Sequence, residues 1–375
     1  MKIGIITFWR VANYGAMLQA YALWKYLVAR GHEVVFITHS RVAPKRLPLG
    51  RCFISRRLEG IRVKLKAFVR HSMTAFAADF PQTWFCRTFE DVREATVDCD
   101  AFIVGSDQMW NPLWCSGSYL PLVMLDFASP EKSRIAYAAS FGTKEWREDQ
   151  GATRAGAFLR KFDKISVREE SGVALVEKLS GRTDAKCLLD PTLLHPADFY
   201  REIMARQQGA YPVGDSPYIF HYILEEWDDA TSSQKAFEIV RACVGLSHVE
   251  MDRVPVSGVL SPLCSLLDVT AKIPVADWLW KIAHADFVFT NSFHGTVFAI
   301  LFHRPFISIL LRGRMSGMNE RSLSLLTKLG LPERAVYSDE TERIKAIVNQ
   351  PIQWEMVEEN LRKLRRQTDA FFAFT

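Results

Sequence analysis

Short apolar runs in this chain alternate with stretches of helical spacing, and the order repeats. Lys2–Phe8 is an apolar run that predicts a strand. A polar loop at Trp9–Tyr14 follows, and Ala16, Ala20, Leu23 and Leu27 then share one helical face that Gly31 brings to an end. Glu33–Thr38 predicts the next strand. Strand, loop, helix and strand in that order imply a parallel sheet with a right-handed crossover. The alternation resumes with strands predicted at Ala101–Val104, Arg134–Ala139, Lys164–Val167 and Cys187–Leu189, and helices at Ala152–Phe162 and Glu169–Leu179. A Gly- and Pro-containing break at Gln207–Pro217 marks a linker. Beyond it, Tyr218–Leu224, Asp286–Thr290 and Pro305–Leu310 predict strands, and Thr231–Cys243 and Ala276–Ala285 predict helices. Phe293, Val297, Ile300 and Leu301 mark a buried helix, 245–275 reads as irregular, and a last helix is predicted at about 353–373. The chain therefore divides into an α/β domain over 1–207 with an insertion at about 41–90, and a second α/β domain over 215–350. A C-terminal helix at 351–375 is expected to pack back on the first domain.

Composition narrows this picture. At 375 residues the chain exceeds one ordinary core. Its 49% hydrophobic and 24% charged residues argue against long disorder. The start MKIGIITFWR is expected to be a strand and not a signal peptide, and no apolar run is long enough for a membrane span. The seven cysteines are scattered with no C-x-x-C pair, which predicts reduced thiols, a cytoplasmic location and no metal site. The net charge of +5 hides a local excess: 41–71 holds ten Lys/Arg against Glu59 alone, so this segment carries +9 and the remainder −4. Within it Leu58, Ile61, Leu65 and Phe68 share a helical face. Such a helix can lie peripherally on an anionic membrane, here the inner face of the plasma membrane, or pack its stripe on its own domain. No nucleic-acid motif accompanies it, so nucleic acid is not an expected partner.

Ligands of open α/β sheets bind outside the carboxyl ends of the strands, which selects four loops. The first holds Asn13 and Gly15, where a helix start can attract an anion or simply pack closely on the sheet. The second is Gly105-Ser106-Asp107-Gln108-Met109-Trp110-Asn111-Pro112. Asp107 and Gln108 can read sugar hydroxyls, Trp110 can stack on a sugar ring, and the alternative is an Asx turn. In the third, Arg168 ends a strand, placed either to clamp a carboxylate or phosphate or to pair with Glu169 or Glu170. The fourth is Thr290-Asn291-Ser292-Phe293-His294-Gly295, where Asn291 or Ser292 can cap a helix whose first turn carries His294.

Taken together, NYGAMLQAYAL at 13–23, GSDQMWNP at 105–112, YAASFG at 137–142, SVREESG at 166–172, LDPTLL at 189–194 and TNSFHGTVFAILFHRPFI at 290–307 resemble the polysaccharide pyruvyl transferase family. The resemblance implies two Rossmann-like domains in a GT-B-like arrangement with the active site in the interdomain cleft. It implies transfer of pyruvate from phosphoenolpyruvate to a sugar of a glycan or lipid-linked intermediate, forming a ketal with no further cofactor. His294 matches the family histidine and is assigned to proton transfer. Asp107, with Gln108, matches the G-S-D-Q motif and is assigned to orienting the acceptor. Arg168 matches the arginine of S-V-R-E, and Arg321 an arginine ahead of the last helical pair. Asn13, Gly15, Trp110, Asn291, Ser292 and Gly295 complete the expected substrate-binding set. Some characterised members carry an arginine two residues before the histidine, where this chain has Ser292. Anion binding would then fall to Arg168, Arg312, Arg314 or Arg321. The alternatives are a GT-B glycosyltransferase using a nucleotide sugar, or a non-catalytic glycan-assembly protein.

Overall fold

A computed structural model describes residues 1–39, 75–113, 115, 117, 119–206, 216–224, 230–255 and 270–373. The basic segment with its amphipathic stripe, and most of the 207–217 linker, lie outside these residues.

The first half is a six-stranded parallel sheet. Its strands are β1 (Lys2–Ile6), β2 (Glu33–Phe36), β3 (Ala101–Val104), β4 (Ser133–Ala139), β5 (Lys164–Val167) and β6 (Lys186–Cys187), in the order β2-β1-β3-β4-β5-β6. Strand β3 is buried throughout, as expected where helices cover both faces of a parallel sheet. The second half is a five-stranded parallel sheet of β7 (Tyr218–Tyr222), β8 (His248–Met251), β11 (Phe287–Thr290), β12 (Phe306–Leu310) and β13 (Ala335–Tyr337), in the order β13-β12-β11-β7-β8. Between β8 and β11 in sequence, β9 (Arg253–Pro255) and β10 (Thr270–Lys272) form an antiparallel pair. Three strands, β8, β9 and β10, therefore fall inside 245–275, a stretch expected to be irregular. Strand β8 is an edge strand with no buried position, so it offers no alternation to read.

Each sheet reverses its strand order once. In the first, the chain steps from β1 out to β2 and returns to β3 on the other side; in the second, β7 is followed by β8 on one side and β11 on the other. These are the switch points at which open α/β sheets leave a crevice.

Six helices frame the crevices: α1 (Tyr14–Val28), α2 (Glu170–Ser180), α3 (Val275–His284), α4 (Phe293–Leu301), α5 (Asn319–Leu329) and α6 (Trp354–Phe371). All nine residues of α4 are buried, which explains its unbroken apolar sequence. One apolar cluster runs through both halves, from Ile3 and Tyr14 to Trp278, Phe298 and Leu361. Tyr14 stacks on Trp278 with ring centres 4.9 Å apart, and its hydroxyl donates to the Ile273 carbonyl at 2.9 Å. Helix α6 returns to the first sheet: Phe372 packs on Tyr26 and Tyr137, and Lys164 Nζ donates to the Phe371 carbonyl at 3.1 Å. Among the described residues no helix is long and apolar enough to cross a membrane.

Candidate active site

The carboxyl ends of β3, β5, β6 and β11 deliver Asp107, Arg168, Asp190 and His294 to one buried place between the sheets. Local structure fixes each of them. Strand β4 slips register between Ala136 and Ala139, with Ala138 at φ 49°, and its last residue, Ala139, pairs with Asp107. Asp107 itself sits at φ 75°, in the left-handed region. Bulges and strained residues of this kind redirect side chains near functional sites. Arg168 leaves β5 where its backbone N–H bonds the Ala139 carbonyl at 3.2 Å. On α4, Ser292 Oγ accepts from the Gly295 N–H at 3.3 Å, so the helix starts at Phe293 and presents His294 in its first turn.

Asp190 is the hub. Its Oδ2 accepts from Ser106 Oγ at 2.8 Å and from Arg168 Nη1 at 2.8 Å, and its Oδ1 accepts from the Thr192 N–H at 3.0 Å and Thr192 Oγ1 at 2.6 Å. His294 Nε2 stands 3.5 Å from Oδ2, an ion-pair distance without a formed hydrogen bond. Burial alone would raise the Asp190 carboxyl; the neighbouring His294, Arg168 and Thr192 outweigh it and hold the group well below the usual carboxylate range. Arg168 reaches Asp107 Oδ1 with its other terminal nitrogen at 3.4 Å. Its guanidinium lies 4.4 Å from the centre of the Phe293 ring, and that of Arg321 lies 5.8 Å from the same ring. Burial and the like charge of Arg168 lower Arg321 to about 10, against the pull of Asp107, Glu169 and Asp190. The Gln108 amide lies beside Arg321. Turned with its oxygen toward that residue, it accepts from Nη2 and Nη1 at 3.1 and 3.0 Å.

Glu169 builds the adjoining wall. Its Oε1 accepts from Ser140 Oγ at 3.1 Å, the Phe141 N–H at 2.8 Å and the Gly142 N–H at 3.2 Å. Burial pushes this carboxyl up against the opposing influence of Arg168 and the Gly142 N–H.

The family described as polysaccharide pyruvyl transferase matches residues 13–311, a span that contains all four of these strand ends and α4. The chain belongs to the polysaccharide pyruvyl transferase family. No curated protein matches it. Among solved structures it is similar to an alpha-glucosyltransferase in complex with UDP and a 13-mer DNA, at 12% identity and a TM-score of 0.51, with 99% of each chain covered. It is also similar to the UDP-GlcNAc 2-epimerase of Neisseria meningitidis bound to UDP-GlcNAc, at 11% identity and a TM-score of 0.50, again with 99% of each covered. At such identities the likeness shows the fold, and it is the GT-B arrangement.

In this transferase the residues singled out from sequence fall into two groups. His294, Asp107, Gln108, Arg168 and Arg321 converge on the network. The others support it from outside. Asn13 Oδ1 caps α1 through the Ala16 N–H at 3.1 Å, and Asn291 Oδ1 accepts from the Leu224 N–H at 2.8 Å. Gly295 sits where a Cβ would come within 2.5 Å of Thr290 Oγ1. Trp110 corrects the expectation of a stacking platform: it is fully buried, packs on Phe141 and Phe162, and its indole N–H donates to the Val123 carbonyl at 3.1 Å. No ring face remains for a sugar. Of the two other arginines considered for the anion, Arg312 is exposed, paired with Asp339 and stacked over Tyr337. Arg314 is exposed on an outer cleft.

Asp190, Glu169 and Phe293 were not singled out. The strand-end rule applies to Asp190 as well, because it follows β6 and stands in the LDPTLL motif.

Gly15 has a specific role. A Cβ there would lie 2.0 Å from His294 Nδ1, so the imidazole rests directly on the α1 backbone across the domain boundary. Gly15→Ala must displace the ring. We expect kcat to fall by about tenfold to a hundredfold, since displacements near 1 Å cost that much, with the circular-dichroism spectrum unchanged. Steady-state kinetics of the variant check this; wild-type kcat would show that the ring has room to spare.

Proposed function

We propose that this transferase moves the pyruvyl group of phosphoenolpyruvate onto two hydroxyls of one sugar in a surface glycan or its lipid-linked precursor. The observation that carries the reading is the convergence of Arg168, Arg321 and His294 at the N-terminus of α4. Two buried guanidinium groups and a helix start form a receptor for a small molecule with a carboxylate and a phosphate. Asp107 and Asp190 keep that positive charge compensated while the site is empty.

The reaction proceeds in two steps. Protonated His294 gives its proton to the C3 methylene while a sugar hydroxyl oxygen attacks C2 and releases its own proton to the Asp107 carboxylate, from which it returns through solvent to recharge His294. The enol double bond becomes the new C–H bond. The C2–O bond to phosphate then breaks, phosphate leaves with the bonding electrons, and the second hydroxyl oxygen closes on C2. Its proton leaves with the phosphate. Asp190 supports the first step by stabilising the imidazolium across 3.5 Å. Asp107, held beside Arg168, faces the acceptor and orients its hydroxyl. The +9 charge of 41–71 favours an anionic membrane as the place where a lipid-linked acceptor is met.

A thermal-shift series with phosphoenolpyruvate and UDP-GlcNAc tests the donor. Phosphoenolpyruvate at a hundred times its dissociation constant should stabilise the protein by about 2.7 kcal/mol. Protection by the nucleotide sugar with none from phosphoenolpyruvate would replace this reading with nucleotide-sugar transfer.

A further inference from the structure

Beside the network lies a cleft of about 590 Å³ that the chemistry so far leaves unused. Both halves of the chain line it. The first contributes Gly142, Thr143, Lys144 and Glu145; the second contributes Arg314, Glu320 and Tyr337. A separate void of about 10 Å³, lined by Arg168 and Asp190 together with Cys187, Leu188 and Leu364, has room for one water. On the pyruvyl-transfer reading phosphoenolpyruvate is held by the buried arginines and would fill only part of the large cleft, which leaves room for a second molecule.

Three features connect the cleft to the chemistry. Its inner wall is the Gly142 backbone, held from behind by Glu169 Oε1. A Cβ on Gly142 would come within 2.8 Å of the Gln108 side-chain amide, so only backbone separates the cleft from the Gln108–Arg321 contact. On the opposite wall Glu320 immediately precedes Arg321 on α5. A molecule in the cleft is thus one residue away from the network on either side.

The lining also indicates what that molecule is. It mixes carboxylates, cations and a phenol with short apolar stretches at Leu113 and Leu323. Hydroxyl-rich ligands need both donors and acceptors, together with apolar surface for their C–H faces. Lys144 Nζ and Glu320 Oε1 meet at 3.0 Å, bridging the two halves. Lys144 is largely exposed, so this pair is cheap to open. Opened, it leaves one cation and one carboxylate facing the cleft.

We propose that this cleft is the acceptor subsite, and that a glycan segment larger than the donor occupies it with Lys144 and Glu320 as its hydrogen-bonding groups. The inference rests on the pyruvyl-transfer reading. Glu169 is a positioning residue for this wall.

The test uses radiolabelled phosphoenolpyruvate and, as the acceptor probe, membranes from source cells lacking this gene. Glu320→Gln and Lys144→Ala should each raise the membrane concentration needed for half-maximal transfer by about tenfold, the range for losing a hydrogen bond to a charged group. Ser316→Trp, which adds bulk from an exposed turn into the cleft, should do so more strongly. All three should keep the wild-type KM for phosphoenolpyruvate and its thermal shift. Wild-type acceptor dependence in all three variants overturns the inference and leaves pyruvyl transfer standing. A loss of phosphoenolpyruvate binding in the variants also overturns it, because the cleft would then serve the donor. A wild-type protein that transfers no label overturns the pyruvyl-transfer reading itself, and the acceptor subsite with it.

Discussion

Replacing His294 by alanine is expected to lower turnover by about 10²–10⁴-fold, the usual worth of a positioned proton donor, while the protein keeps its fold. The expectation of intact folding comes from α4. Its cap is Ser292 Oγ on the Gly295 N–H, and its buried apolar residues do not depend on the imidazole. Asp190 keeps Ser106, Arg168 and Thr192 as partners when the histidine is gone. The loss should therefore appear in kcat, with little change in the melting transition. A variant that turns over at close to the wild-type rate would remove His294 from the mechanism and leave the arginines as an anion site alone.

The second large effect is on stability. Asp190→Ala removes the buried partner of Arg168, leaving that guanidinium with Asp107 at 3.4 Å. Breaking a buried pair from one side costs about 3–5 kcal/mol, because the remaining charge stays desolvated. The same substitution also strips the Thr192 N–H and the Ser106 hydroxyl of their acceptor. Asp190→Asn, which retains an oxygen toward Thr192, should lose less. Urea unfolding of the two variants makes the comparison. If Asp190→Ala unfolds within about 0.5 kcal/mol of wild type, in the range of an ordinary surface substitution, the hub assigned to this carboxylate is not one.

The strands that carry the site were legible because parallel strands buried on both faces read as apolar runs, and Asp107, Arg168 and His294 stand where those runs stop. The same logic is blind to β8 and β13. One is exposed at a sheet edge, and the other is three residues long. It is blind to partnership as well. Asp190 becomes a hub only when Ser106, Arg168 and His294 arrive from distant parts of the chain. Trp110 shows the opposite failure. An aromatic residue in a polar loop suggests a sugar platform, yet the side chain turns inward to fill the space between Phe141 and Phe162. Gly15 stayed ambiguous in sequence because the reason for it is an imidazole on the other half of the molecule.

That contact has a consequence for how the enzyme is assembled. His294 belongs to one half of the chain, and Gly15, on which its ring rests, belongs with Asp190 to the other. On the proposed mechanism neither half carries a complete reaction centre. Two fragments divided at the linker would each be inert, and activity recovered on mixing them would measure complementation, rising with the product of their concentrations. On that mechanism catalysis is a property of the seam, and the tightness of the seam would set the fraction of molecules competent to react.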